Sequence, residues 1–304
     1  MRSDQSVTTR IDEQKCIGCG LCVRVCPDRT LSMPGHKALV SGDTSLNCGH
    51  CAAICPVGAV TVGALDDESQ RFDTFLQPDE SWLPPGRFDT GQLVRLMRSR
   101  RSCRAYLERP VERKCLEDLV KIGITAPSGT NSQRWTFTLL PDRRAVLCLG
   151  QEVGLFFGRL NQMAEKRLLR GFLKMIGRPE LDDYFHGYYS SVKQGLEEWT
   201  RDGRDRLFHG AAAVIVVGSA PGASCPVEDA LLATQNILLA AHSMGLGSCL
   251  IGFAVAAMQK DPVIKATLGI PKAESVHAVV ALGYPDEVYQ RPAGRKKPVV
   301  RWTP

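Results

Sequence analysis

Cysteines 16, 19, 22 and 26 stand in the run CIGCGLCVRVCP, a C-x2-C-x2-C-x3-C-P spacing, and three more follow at 48, 51 and 55 in SLNCGHCAAICP. Adding 29 to each position of the first run gives 45, 48, 51 and 55, and Pro27 falls on Pro56. The second run is therefore the first with Ser45 in place of its opening cysteine. Thiolate sulfur is the soft, anionic ligand that iron–sulfur clusters need, and cysteines at i, i+3 and i+6 let one loop wrap a single cubane. A zinc site or unrelated thiols would also use cysteine, but two runs in one register are a specific signal for clusters.

The register continues past the cysteines, since TLSM at 30–33 falls on AVTV at 59–62, a short strand-like piece after each run. Residues 1–63 thus form an internally repeated unit. They resemble the two-cluster bacterial ferredoxins, in which the fourth cysteine of each run ligates the other cluster. The resemblance implies that Cys16, Cys19, Cys22 and Cys55 hold one cluster and that Cys26, Cys48 and Cys51 hold the second, with Ser45 at its remaining corner. Three outcomes are open at that corner: a serine or other oxygen ligand completes a [4Fe-4S] cluster, the labile iron is lost to leave [3Fe-4S], or the second cluster does not assemble. We expect a second [4Fe-4S] cluster with a non-cysteine fourth position. Replacing a thiolate should shift its potential relative to its neighbour.

The elements that carry these residues need a longer chain than a ferredoxin, and 304 residues leave room for a second domain with a sizeable core. A composition of 44% hydrophobic and 23% charged residues is that of a globular protein. Twelve cysteines could mark a secreted disulfide scaffold, but seven lie within 16–55 and no apolar leader segment precedes them. A reducing, cytoplasmic setting fits better. The net charge of +6 is modest and concentrates in Arg95–Lys114 and Arg291–Arg301, which points to a phosphate-bearing ligand or a solvated face, with no nucleic acid expected. The apolar stretch Leu231–Met258 carries Gln235, Asn236 and His242 and is broken by GLG at 245–247, so it reads as a buried helix and a turn and not as a membrane span.

After an acid- and proline-rich linker at 64–90, helix and strand alternate. Strands are expected at WTFTLL (135–140), AAAVIVVG (211–218) and SVHAVVALG (275–283), and a helical insertion at about 152–206, giving an α+β or mixed α/β domain over 91–304. Three stretches could hold a ligand. RSRRSCRAY at 98–106 offers Arg100, Arg101, Ser102 and Arg104, the guanidinium forks and hydroxyl that a phosphate monoester needs. APSGTNSQRW at 126–135 is a polar loop whose Ser128, Asn131 and Gln133 can bond the edge of a planar heterocycle. In GLGSCLIGF at 245–253, backbone N–H groups near Ile251 and Gly252 could face a ligand. No G-x-G-x-x-G follows a strand, so no separate dinucleotide-binding domain is expected.

In this order the three stretches resemble the nitroreductase family of FMN-dependent oxidoreductases, with TQNILLAAHSMGLGSCLIG as its central helix and turn and ALGYPDE and RPAGRKKP as its closing strand and tail. The resemblance covers about residues 91–300. It implies FMN, with Arg100, Arg101, Ser102 and Arg104 on the phosphate and ribityl chain. Pro127, Ser128, Gly129, Asn131 and Gln133 would line the isoalloxazine, and Leu250, Ile251 and Gly252 would lie near N5 and O4. Arg295 with Lys296, or Lys297, would return to the phosphate. It further implies an intertwined homodimer with FMN at the interface. Arg134 stands where the family often has proline, and no acidic residue precedes Gly252.

The expected architecture is an α+β chain: an N-terminal ferredoxin-like 2x[4Fe-4S] domain followed by a nitroreductase-like FMN-binding domain. The expected activity passes electrons from the clusters to FMN, which reduces a small organic acceptor such as a nitroaromatic or quinone, the donor being a ferredoxin-type protein or NAD(P)H. The alternatives are an electron-transfer or redox-sensing protein, or a same-fold flavin enzyme carrying out enone reduction, dehalogenation or flavin fragmentation. No catalytic side chain is assigned, though Phe185, His186, Tyr188 and Tyr189 of the insertion could cover a flavin pocket.

Overall fold

The computed structural model describes residues 5–77 and 79–303; the first four residues of the expected cluster module, Pro78 of the linker and Pro304 lie outside it. The repeat seen in the sequence is repeated in space. Strand β1 (Thr9–Ile11) pairs antiparallel with β4 (Val60–Val62), and β2 (Leu31–Ser32) with β3 (Leu39–Val40). The short helices α1 (Leu21–Val25) and α2 (His50–Ala53) begin after Gly20 and Gly49, both left-handed, and each buries one cysteine, Cys22 and Cys51. Left-handed backbone recurs at the same offset in Gly18 and Asn47 and in Arg29 and Gly58. Gly18 has no alternative, since a Cβ there would fall 2.0 Å from the His36 carbonyl oxygen.

The second module is built on one antiparallel sheet of order β5-β6-β8-β7, from β5 (Trp135–Leu140), β6 (Ala213–Ser219), β7 (Gly247–Leu250) and β8 (Ser275–Gly283). Three of these strands fall where the sequence placed them. The exception is β7, read from the sequence as a turn; only pairing of residues 247–250 with 280–283 makes it a strand.

Strand alternation sends side chains to both faces. Val214, Val216, Val279 and Ala281 pack with α5 (Arg143–Ala164) and α10 (Gly252–Lys260). Ile215, Val217, Val280 and Leu282 pack with α4 (Arg113–Gly123) and α9 (Pro226–Ser243). All seven residues of β6 are buried, so helices cover the sheet on both sides. Burial of each such valine, leucine or isoleucine contributes about 1.5–3 kcal/mol.

The helical insertion begins earlier than expected. Asp142 caps α5 by accepting the Ala145 N–H, and one helix then runs unbroken through residue 152 to Ala164. After it come α6 (Arg167–Met175), α7 (Glu180–Gly187) and α8 (Tyr189–Asp202). Helix α3 (Thr90–Ser99) packs against α9 and delivers the chain to Arg100, and α11 (Pro262–Thr267) follows α10. No helix among the described residues is long and apolar enough to cross a membrane.

The linker is not loose at its middle. Asp118 on α4, fully buried, accepts the backbone N–H groups of Asp73 and Thr74 and the Thr74 hydroxyl, and Lys121 donates to the Arg71 carbonyl. Burial alone would push the Asp118 carboxyl up; the Thr74 and Asp73 donors and the nearby Lys121 charge outweigh it and leave it below its ordinary value. The strap therefore contributes stability above the usual carboxylate range and loses it as pH falls through the lowered folded value. Asp118→Ala leaves several buried donors unmet and should cost about 1–3 kcal/mol in urea unfolding. It should also open residues 71–75 to limited proteolysis, while an intact strap resists at neutral pH.

Candidate functional site

The seven cysteines do not form one group. Cys16, Cys19, Cys22 and Cys55 line one cavity together with Ile11, Ala38 and Val60. Cys26, Cys48 and Cys51 line another with Ser45, Asp28 and His50. The fourth cysteine of each run thus lines the other run's cavity, as the ferredoxin resemblance implies. Among the described residues no three histidine, cysteine or acidic side chains converge on a point that would hold a single ion. Sulfurs spread around a cavity suit a cubane and not a zinc ion.

The two cradles differ in chemistry. The first is apolar between its sulfurs. The second adds hydroxyl, carboxylate and imidazole groups, with Cys48 Sγ 3.3 Å from His50 Nδ1. Ser45 is 8% exposed and faces this cavity, and its Oγ accepts the Asn47 N–H at 3.1 Å. Asp28 accepts the Leu46 N–H at 2.7 Å, so oxygen ligands of two kinds adjoin the missing thiolate. Burial pushes the Cys22 and Cys51 thiols up, so iron must displace their protons. At Cys55 burial acts in the same direction but is outweighed by the N–H groups of Val57, Ala59, Val60 and Gly58, Ala59 donating at 3.2 Å, and the thiol is lowered. Donors of this kind tune the potential of a bound cluster.

In the second module the arginine segment lies along the edge of β7. Ser102 bridges Ser248, and the Cys103 N–H bonds the Ser248 carbonyl at 2.9 Å. Among the described residues Arg100, Arg101 and Arg104 make no ion pair and no side-chain hydrogen bond, and the buried Ser248 hydroxyl has no partner. Three uncompensated guanidinium groups beside two serines fit a phosphate monoester. Burial pushes His242, in the last turn of α9, below its ordinary value, and the Arg100 charge adds to this. Leu250 and Gly252 are exposed beside this edge, whereas Ile251 is buried and its N–H bonds the Val279 carbonyl at 2.8 Å. That N–H is therefore engaged in the sheet and not turned to a ligand; Gly252, first residue of α10, keeps the helix-end position.

The loop at 126–133 is held at the other end of α9. Asp229, 5% exposed, accepts the Gly129 N–H at 2.9 Å and the Ser132 hydroxyl at 3.4 Å, and its carbonyl accepts Trp135 Nε1–H. Thr130, Asn131 and Gln133 all have positive φ, a strained run for residues with a Cβ. Gly129 is required here, since a Cβ would meet Cys225 Sγ at 2.8 Å. Ser128 Oγ accepts the Gln133 N–H, and Gln133 Nε2 donates to Asn131 Oδ1. Asn131 Nδ2 crosses to the cluster module, donating to the carbonyls of Leu46 at 3.0 Å and Asn47 at 3.2 Å. Both amide protons of Asn131 are thus committed to the neighbouring module, and its oxygen to Gln133, so it does not offer a flavin the hydrogen bonds expected of it. Pro127 and Gln133 are exposed.

Arg295 and Lys296 do not return to the arginine segment within the chain. The tail leaves from beside it, where Asp286 N–H bonds the Ala105 carbonyl, but Arg295 then bonds the carbonyls of Ala293 and Gly294, and it, Lys296 and Lys297 are exposed. Of the insertion's aromatics, Phe185 stacks on Tyr189 and lies under Arg170, and His186 packs edge-on to Phe185. These three pack within the insertion. Tyr188 alone turns toward the 250–253 segment, edge-on to Phe253 at 5.7 Å.

The sequence profile described as the nitroreductase family matches residues 97–284, more than half of the chain. The chain belongs to the nitroreductase family. Residues 15–59 match a 4Fe-4S dicluster domain, so the N-terminal module is of that ferredoxin type. A ferredoxin from Thermococcus litoralis is 41% identical over 54 residues, 17% of this chain and 92% of its own. A 4-nitrobenzoate reductase from Nocardioides sp. (strain LMS-CY) is 25% identical over 206 residues, covering 63% of this chain and 79% of its own length. A nitroreductase with bound FMN from Bacteroides fragilis NCTC 9343 superposes with a TM-score of 0.51 at 20% identity, over 70% of this chain and 99% of that one, and so shares its fold.

Sequence reasoning missed Asp229 and Asn47. Asp229 is one of two acids in the first turn of α9, a placement that helix-dipole compensation alone would explain, so the sequence carries no separate signal for it. Asn47 occupies the repeat position of Gly18, a sign of left-handed backbone, and its buried amide ties Thr8 to Ser6. Asp229→Ala should cost about 1–3 kcal/mol by leaving the Gly129 and Ser132 donors unmet. Faster amide exchange confined to residues 128–133 would show that the carboxylate acts on that loop.

Proposed function

We infer that the protein is an FMN-dependent oxidoreductase in which two iron–sulfur clusters pass electrons to the flavin, and the flavin reduces a small organic acceptor. The observation that carries this reading is the joining, in one nitroreductase-family chain, of two cysteine cradles to an arginine segment whose cations form no ion pair among the described residues. When bound, the clusters supply one-electron transfer and FMN supplies hydride or paired one-electron chemistry. Arg100, Arg101, Arg104 and Ser102 hold the phosphate, and Pro127, Ser128, Gly129 and Gln133 of the loop and residues 250–252 border the ring, while Asn131 faces the cluster module. The seven cysteines hold the clusters, and Ser45, which faces the second cavity, stands at its open corner.

A second copy of the chain completes the flavin site. Asp229, which holds the loop, and His242, which lies by Arg100, are 13 residues apart on α9, about 20 Å at the rise of an α-helix. One chain therefore carries the arginine segment and the 127–133 loop at opposite ends of one helix. A large concavity between α5 and α8 contains none of the residues assigned to FMN. Val227, Leu231 and Leu232 on α9 and Val299 and Trp302 in the tail stand exposed, apolar surface suited to a homodimer interface. Electrons come from a reduced ferredoxin-type protein or from NAD(P)H, in a reducing compartment such as the cytoplasm.

Anaerobically purified protein should contain about eight irons and one FMN per chain. About seven irons, with the oxidised-state EPR signal of [3Fe-4S], would leave the Ser45 corner open. Clusters photoreduced without oxygen should bleach the bound flavin, and if they do not, the reading fails. Arg104→Met should weaken FMN binding about 10- to 100-fold through loss of a charge-assisted bond, read by equilibrium dialysis.

A further inference from the structure

The two cradles are not equivalent with respect to the nitroreductase module. The cavity flanked by Ser45 adjoins Leu46 and Cys48, and the carbonyls of Leu46 and Asn47 receive the two amide protons of Asn131 at 3.0 and 3.2 Å. The contact is built on both sides. Asn47 is 4% exposed, left-handed, and fixed through Thr8, Ser6 and Ser45, while Asn131 is left-handed and fixed through Gln133 on a loop anchored by Asp229. At the all-cysteine cradle, Cys19 is exposed and Ile17 is 62% exposed, and neither makes a hydrogen bond or ion pair to residues 90–303 among the described residues.

We propose that Asn131 is a positioning residue that docks the Ser45-flanked cradle against the flavin-bordering loop, so that the all-cysteine cluster receives electrons and the Ser45-flanked cluster delivers them. This rests on the reading that clusters supply the flavin. With both clusters and FMN bound, Cys16, Cys19, Cys22 and Cys55 would hold the cluster that takes one electron at a time from a reduced carrier at the exposed Cys19 side, and Cys26, Cys48 and Cys51 would hold the one that passes them on; two such electrons and a solvent proton would account for a reduced, anionic flavin. Loss of a thiolate thus falls at the delivering position, where the potential is set against the flavin.

The test uses the full holoprotein with Asn131→Asp, which places an acceptor-only carboxylate against two carbonyl oxygens in the same volume, and with Asn131→Ala as the milder loss. Hydrogen exchange at the amides of residues 46–48 should rise about tenfold or more in Asn131→Asp, with those of 16–22 unchanged. After flash photoreduction with a deazaflavin, flavin bleaching should slow about tenfold or more in Asn131→Asp while iron and FMN content stay at wild-type values, and it should also slow in Asn131→Ala, which adds no charge, with both cluster potentials unchanged. Asn131→Ala should fall between wild type and Asn131→Asp. Faster exchange at 16–22 in place of 46–48 would reverse the assigned order and overturn the proposal. So would loss of FMN with unchanged exchange at 46–48, which would make Asn131 a flavin ligand. A wild-type bleaching rate in both variants would also overturn it. If wild-type clusters do not reduce the flavin at all while Asn131→Asp still loosens 46–48, the electron-supply reading fails and the docking contact stands.

Discussion

One buried carboxylate organises the nitroreductase module's polar loop. Asp229 sits in the first turn of α9, where the helix dipole favours a negative charge, and it satisfies donors from Gly129 and Ser132 while its carbonyl takes the Trp135 indole. Together with the Ser128–Gln133 and Gln133–Asn131 bonds, these contacts hold Thr130, Asn131 and Gln133 in left-handed backbone, which costs on the order of 1–3 kcal/mol per residue. The direction of Asn131, and hence the junction with the cluster module, depends on that strain being held.

The cluster module has its own constraint. A 29-residue repeat places two short helices and two cysteine loops in a symmetric relation, and the halves are tied together by the β1–β4 pairing and by the fourth cysteine of each run lining the other run's cavity. Symmetry is broken chemically rather than geometrically. Gly20 and Gly49 keep equal conformations while Cys16 and Ser45 differ, and the second cradle gathers Asp28 and His50 where the first has aliphatic side chains.

What was legible in the sequence was what local spacing encodes. Cysteine intervals are set by the size of the cluster they surround, so which cysteines share a cavity could be read directly. Strands β6 and β8 declared themselves through valine-rich runs and β5 through its aromatic and threonine residues, types that favour strands. β7 did not, because Gly247–Leu250 becomes a strand only by pairing with β8. The fate of the Ile251 N–H followed the same rule. Asn131 was singled out for its amide but assigned to a flavin edge, since its partners lie 84 and 85 residues away in sequence. The early start of α5 turned on the capping geometry of Asp142, in a PDRR stretch that reads equally well as a turn.

The strap at Asp118 changes the statistics of the junction between modules. Between the end of β4 at Val62 and the captured Asp73 only a short tether remains, part of it a single helical turn at Asp67–Gln70. Short tethers hold their ends at effective concentrations in the millimolar range. Two amide hydrogen bonds, far too weak to join separate proteins, are enough to keep the modules engaged when collision is this frequent. Such a joint can also open and reclose quickly.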